Sequence, residues 1–190
     1  MPPVELVIDG TNFGGKTPLV ARVLDHLAAR GWSAGSASVY REGEVYSRWD
    51  DDPLGAAATI VARMRAHRER LADRDVVVWD RGWPTCFVST RDAAARRLFL
   101  PLPPLTFILL NSAAATAKKV AKYGLRADSF PWMHGRRLRD EISYEQLCRL
   151  FPDDLRSFTP TLADDRFDLD LVAGEIVDEV APAVARSEHR

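Results

Sequence analysis

The feature that most limits what this chain can fold into is a glycine-rich turn set between an apolar run and an amphipathic helix. Gly10, Gly15, Lys16 and Thr17 fit the pattern G-x-x-x-x-G-K-[ST]. Ahead of them, Val4 to Ile8 reads as a buried strand. Behind them, Leu19, Val20, Val23, Leu24 and Leu27 recur at helical spacing, and Gly31 supplies a stop. Pro18 falls in the first helical turn, where a missing N–H costs little. Such a turn curls its backbone so that several N–H groups point inward at phosphate oxygens. The helix N-terminus adds partial positive charge. Gly10, Asn12, Phe13, Gly14, Gly15, Lys16 and Thr17 are therefore the expected ATP-binding residues. Lys16 would bridge the β- and γ-phosphates, and the Thr17 hydroxyl would ligate Mg²⁺.

The remaining elements follow from periodicity and punctuation. Strands are expected at Ser36 to Tyr40, Val76 to Trp79, Thr106 to Leu110 and Ser157 to Leu162. Helices are expected over Leu54 to Leu71, Arg91 to Phe99, Ala113 to Lys122 and Asp170 to Ala185. Ser143-x-x-Gln146 reads as a capping box that opens a helix ending before Pro152. Glu44 to Pro53 and Trp83 to Ser89 read as loops. Strands alternating with helices imply a parallel sheet covered on both faces. Right-handed crossovers put the strand C-termini on one edge, where ligands bind in open sheets.

Length supports a single domain over 1–190, and an apolar share of 46% supplies a core. The net charge of −1 lends no support to a polymeric nucleic-acid partner. Cys86 and Cys148 form no metal-binding spacing and suit a reducing compartment. With no signal segment and no long apolar run, the expectation is a cytoplasmic protein with no membrane partner. A homodimer is compatible with this reading.

Two further groups fall at strand ends beside the loop, and a third is a basic stretch later in the chain. Asp80 could hold Mg²⁺ through water or accept a proton from an attacking hydroxyl, and Arg81 could bridge donor and acceptor phosphates. Glu42 could act as the base toward a hydroxyl, and Arg41 could clamp an anionic acceptor. The basic stretch Lys118 to Arg139, with its mobile part at about 123–139, could close as a lid. There, Lys122 and Arg126 would offset transferring charge. Trp49 and Trp83 belong to an aromatic set able to stack on a planar acceptor.

Taken in order, the glycine loop, Arg41-Glu42-Gly43, Asp80-Arg81 and the basic stretch resemble thymidylate kinase and its deoxynucleoside-kinase relatives. The resemblance implies a P-loop α/β fold with a five-stranded parallel sheet. It implies ATP- and Mg²⁺-dependent transfer of the γ-phosphoryl group to a nucleotide, nucleoside or related small molecule. It places Arg41, Glu42 and Arg81 around that acceptor, Asp80 near the metal, and Ala163 to Phe167 near adenine. Lys122-Tyr123-Gly124-Leu125-Arg126 is similar to the family's lid. Gly43-Glu44-Val45-Tyr46 and Gly82-Trp83-Pro84-Thr85-Cys86 depart from the family pattern and point away from thymidylate itself as the acceptor. The competing class is a nucleotide-dependent switch or a non-catalytic nucleotide-binding protein. Asn111-Ser112-Ala113-Ala114 offers no guanine-reading Asn-Lys-x-Asp element.

Overall fold

The computed structural model describes residues 2–11, 15–40, 49–101, 105–110, 143–158, 162–163 and 166–188. The chain runs β1 (Val4–Gly10), α1 (Lys16–Ala29), β2 (Ala34–Ala37), α2 (Pro53–Arg70), β3 (Val76–Asp80), α3 (Trp83–Ser89) and α4 (Ala93–Arg97). It continues with β4 (Leu105–Leu109), α5 (143–150), β5 (Leu155–Phe158), β6 (Leu162–Ala163), β7 (Arg166–Phe167) and α6 (Leu169–Glu188).

Five strands form one sheet in the order β2-β3-β1-β4-β5, and every pairing is parallel. β6 and β7 pair separately as an antiparallel ribbon. Because side chains alternate along a strand, β1, β3 and β4 each feed two cores. Leu6, Ile8, Val76, Val78, Phe107 and Leu109 face α1 and α6, meeting Leu19, Val23, Ile176 and Val180. Val7, Val77, Trp79 and Ile108 face the opposite layer, meeting Ile60 and Met64 of α2, Trp83 of α3, and Tyr144 and Leu147 of α5. The parallel sheet is thus sandwiched between helices on both faces.

Local sequence explains the boundaries. α1 ends where the Trp32 N–H reaches the Leu27 carbonyl and the Gly31 N–H reaches Ala28, with Gly31 at φ 80°. That is a Schellman closure, which needs a residue at ease in the left-handed region. α2 starts at Pro53, where the Asp52 carboxylate accepts from the Gly55 N–H at 2.8 Å.

Three expectations need correction. β2 ends at Ala37, because side chains tie down the residues after it: Ser38 Oγ donates to the Asp80 carbonyl at 3.1 Å and Tyr40 OH to Gly82 at 2.9 Å. The stretch Trp83 to Ser89 is helix, not loop, with Pro84 in its first turn. The fifth strand spans Leu155–Phe158, and Leu162 belongs to the separate ribbon. The expected helix over Ala113 to Lys122 and the basic stretch beyond it lie outside the described residues. Among the described residues, no helix is long and apolar enough to cross a membrane.

Candidate phosphate-binding site

Strand parity decides which residues meet at the C-terminal edge of the sheet. Asp80 shares a face with Val76 and Val78 and so lies toward α1. There, Thr17 Oγ1 donates to Asp80 Oδ2 at 2.8 Å. Asp9 shares a face with Val7 and so lies toward α3. The two acids at the ends of neighbouring strands therefore serve opposite sides of the sheet.

The loop itself begins and ends on glycines at positive φ, Gly10 at 132° and Gly15 at 86°. A Cβ at Gly10 would lie 2.1 Å from the Leu109 carbonyl oxygen, so the loop leaves β1 pressed against β4. Lys16 is 95% buried, at 5% relative exposure. Its ammonium donates to the carbonyls of Gly10 at 2.9 Å and Thr11 at 2.6 Å. The cation is thereby held across the mouth of its own loop. Asn12, Phe13 and Gly14 lie outside the described residues.

Sequence reasoning gave Asp9 no role. It is fully buried, and five donor groups converge on it. Oδ1 accepts from the Gly10 N–H at 2.7 Å and the Tyr144 hydroxyl at 2.8 Å. Oδ2 accepts from the N–H groups of Gly82 and Thr85, each at 3.0 Å. The Thr85 hydroxyl sits 2.9 Å from both oxygens. The carboxylate caps α3 from across the fold, which is why a stretch with no capping residue of its own is helical. Burial pushes the Tyr144 phenol well above its ordinary pKa, the Asp9 charge pushes it further, and Arg81 opposes both. Tyr144 therefore stays protonated and donating. The one signal in the sequence was a carboxylate inside an apolar strand, since such a group must find donors.

Arg81 has φ 76°, a left-handed conformation rare for a residue with a Cβ. Its N–H donates to the Ile8 carbonyl at 2.9 Å. Gly82 follows closely packed: a Cβ there would meet Val7 Cγ1 at 2.9 Å.

The two tryptophans expected at the acceptor lie in the core. Trp83 is 1% exposed, donates its indole N–H to Thr106 Oγ1 at 3.1 Å, and packs edge-on against Phe87 and Phe151. Trp49 is 5% exposed, and its indole nitrogen has no hydrogen-bond partner among the described residues. Arg41, Glu42, Lys122 and Arg126 lie outside the described residues. An open cavity of about 300 Å³ adjoins Thr17 and Asp80, lined by Val20, Leu24, Ser36 and Ser38 among others.

No known family's profile and no curated protein matches the chain. Solved structures do. A thymidylate kinase from Ehrlichia chaffeensis superposes with a TM-score of 0.61 at 14% identity, over 95% of this chain and 100% of the other. A deoxyadenosine kinase from M. mycoides, solved with dCMP and a flexible dCDP bound, superposes with a TM-score of 0.58 at 14% identity, over 94% and 99%. The chain therefore has the thymidylate and deoxynucleoside kinase-like fold, over nearly its whole length.

Proposed function

We propose that this protein is an ATP-dependent phosphotransferase that moves the γ-phosphoryl group to a nucleotide, nucleoside or related small molecule. The observation that carries the reading is the Thr17–Asp80 contact of 2.8 Å beside a lysine already drawn across the loop. Hydroxyl and carboxylate oxygens are the hard donors that Mg²⁺ takes, so Thr17 and Asp80 fit as its protein ligands. Bound there, the ion would neutralise charge on the β- and γ-phosphates.

The chain's own residues supply the rest. Loop amides and the α1 N-terminus bind phosphate oxygens. Lys16, held near the loop carbonyls, presents its charge to the terminal phosphates. Arg81 offsets charge where donor and acceptor meet, with Arg41 on the acceptor side. Lys122 and Arg126 add cations from the basic stretch. If the acceptor is a hydroxyl, Glu42 or Asp80 takes its proton; a monophosphate needs no base. The folds that match this chain include both a nucleotide kinase and a nucleoside kinase, which supports testing both acceptor kinds.

The test is ADP release from MgATP across a panel of nucleosides, nucleoside monophosphates and small alcohols. Acceptor-stimulated release with a phosphorylated product supports the reading. Absence of MgATP binding by calorimetry, or binding without transfer to any acceptor, overturns it.

A further inference from the structure

We propose that Asp9 is a positioning residue: with Thr85 and Tyr144 it holds the strained Arg81 turn and the first peptide of the phosphate loop in one fixed relation. The inference rests on the phosphotransferase reading above.

A carboxylate offers about four lone-pair sites. Asp9 meets the N–H groups of Gly10, Gly82 and Thr85, together with the hydroxyls of Thr85 and Tyr144. These donors come from residues 1, 73, 76 and 135 positions along the chain. One side chain therefore joins the loop, the turn after β3, the start of α3 and α5.

The geometry around Arg81 gives the cluster a purpose beyond packing. A non-glycine residue at φ 76° persists only where its surroundings over-determine it. Ile8 accepts the Arg81 N–H, and Asp9 accepts the next N–H, that of Gly82. The strained residue is thus pinned on both sides by consecutive residues of β1. Asp80, which meets Thr17, is its immediate neighbour. Loosening Asp9 lets the turn relax to ordinary φ, moving Arg81 and Asp80 relative to the loop. Ground-state nucleotide binding, carried by loop amides and Lys16, changes less than the transition state does. Tyr144 and Thr85 act through Asp9: their hydroxyls lie 3.2 Å apart, and both reach its Oδ1.

The experiment uses the full chain and the variants Tyr144→Phe, Thr85→Val and Thr85→Ser. It measures kcat, the MgADP dissociation constant by calorimetry, the melting temperature, and amide exchange at Gly82 and Thr85. Expected are a fall in kcat of about tenfold or more in Tyr144→Phe and Thr85→Val, MgADP affinity within about twofold of the parent, and faster exchange at both amides. Thr85→Ser, which keeps the hydroxyl, should restore kcat. Lower melting temperature with kcat intact overturns the proposal, as does a parallel loss of MgADP affinity and kcat. If Thr85→Val does not fold, Tyr144→Phe decides. A parent chain that binds no adenine nucleotide overturns the phosphotransferase reading and this inference with it. Normal parent turnover with unaffected variants overturns this inference alone.

Discussion

Thr17 Oγ1 donates to Asp80 Oδ2 across 2.8 Å and 63 residues of chain. The contact joins the first turn of α1 to the end of β3 without any intervening group. Asp80→Asn keeps the shape and removes the charge, so turnover should fall by about a hundredfold with the fold intact. Rate measured against Mg²⁺ concentration checks this; an unchanged profile would remove Asp80 from the metal site.

Lys16→Ala deletes the cation drawn over the Gly10 and Thr11 carbonyls. The expected loss in kcat is about two orders of magnitude or more, since one preorganised charge at a developing anion contributes on that scale. Steady-state kinetics on the variant decide it, and near-parent rates would count against the proposed reaction.

Glu5 sits at the opposite end of β1 from the loop. It accepts from Arg68 Nε at 2.6 Å, Arg68 Nη2 at 2.9 Å and the Trp79 indole N–H at 3.0 Å. Glu5→Ala leaves the Trp79 donor unpartnered and should cost about 2–3 kcal/mol in urea denaturation. Turnover should stay within about twofold, because the change lies away from the phosphate-binding edge.

Gly10→Ala puts a methyl group into the Leu109 backbone at a φ of 132°. Backbone cannot yield as a side chain can, so the loop must shift, at a cost of roughly 3 kcal/mol or more. Circular dichroism melts should show the loss, and MgATP binding should vanish with it. A stable variant that binds normally would contradict the close approach of β1 to β4.

Burial pushes the Cys86 thiol up to about 12, with Asp92 adding to the effect and Arg96 opposing it. The thiolate fraction at pH 8 then drops from about one in ten to about one in ten thousand. Iodoacetamide at pH 8 should leave Cys86 unmodified until the chain unfolds. The neutral form is favoured in the folded state, so this contribution to stability is complete below the unfolded value near 9.0 and fades as pH rises toward 12. Mass spectrometry of the alkylated protein, native and in urea, settles it.

The parts of the fold legible in the sequence were those with local punctuation. The strand, glycine turn and helix of residues 4–29 announce themselves, as do α2 with its Asp52 cap and α6 with Ile176, Val180 and Val184 in register. The α3 helix was hidden because its capping acceptor, Asp9, lies 76 residues away from Thr85. Asp9 itself was hidden for the same reason: its donors come from three later stretches of chain. Trp83 and Trp49 stand next to candidate site residues in sequence, and that both rings are buried in the core is a tertiary fact no local pattern announces. Thr17 and Asp80 were individually readable from motif position; their direct contact follows from the even-numbered face of β3.

The all-parallel sheet has a kinetic consequence. No two of its strands can zip together as a hairpin, and even the nearest registered pair, Ala34 with Val76, is separated by the whole of α2 and its flanking segments. Each ladder must wait for a distant crossover to arrive, so loop-closure entropy is spent before ladder bonds form. Folding should be slow for a chain of this length, with the strand edges exposed to other molecules while it proceeds.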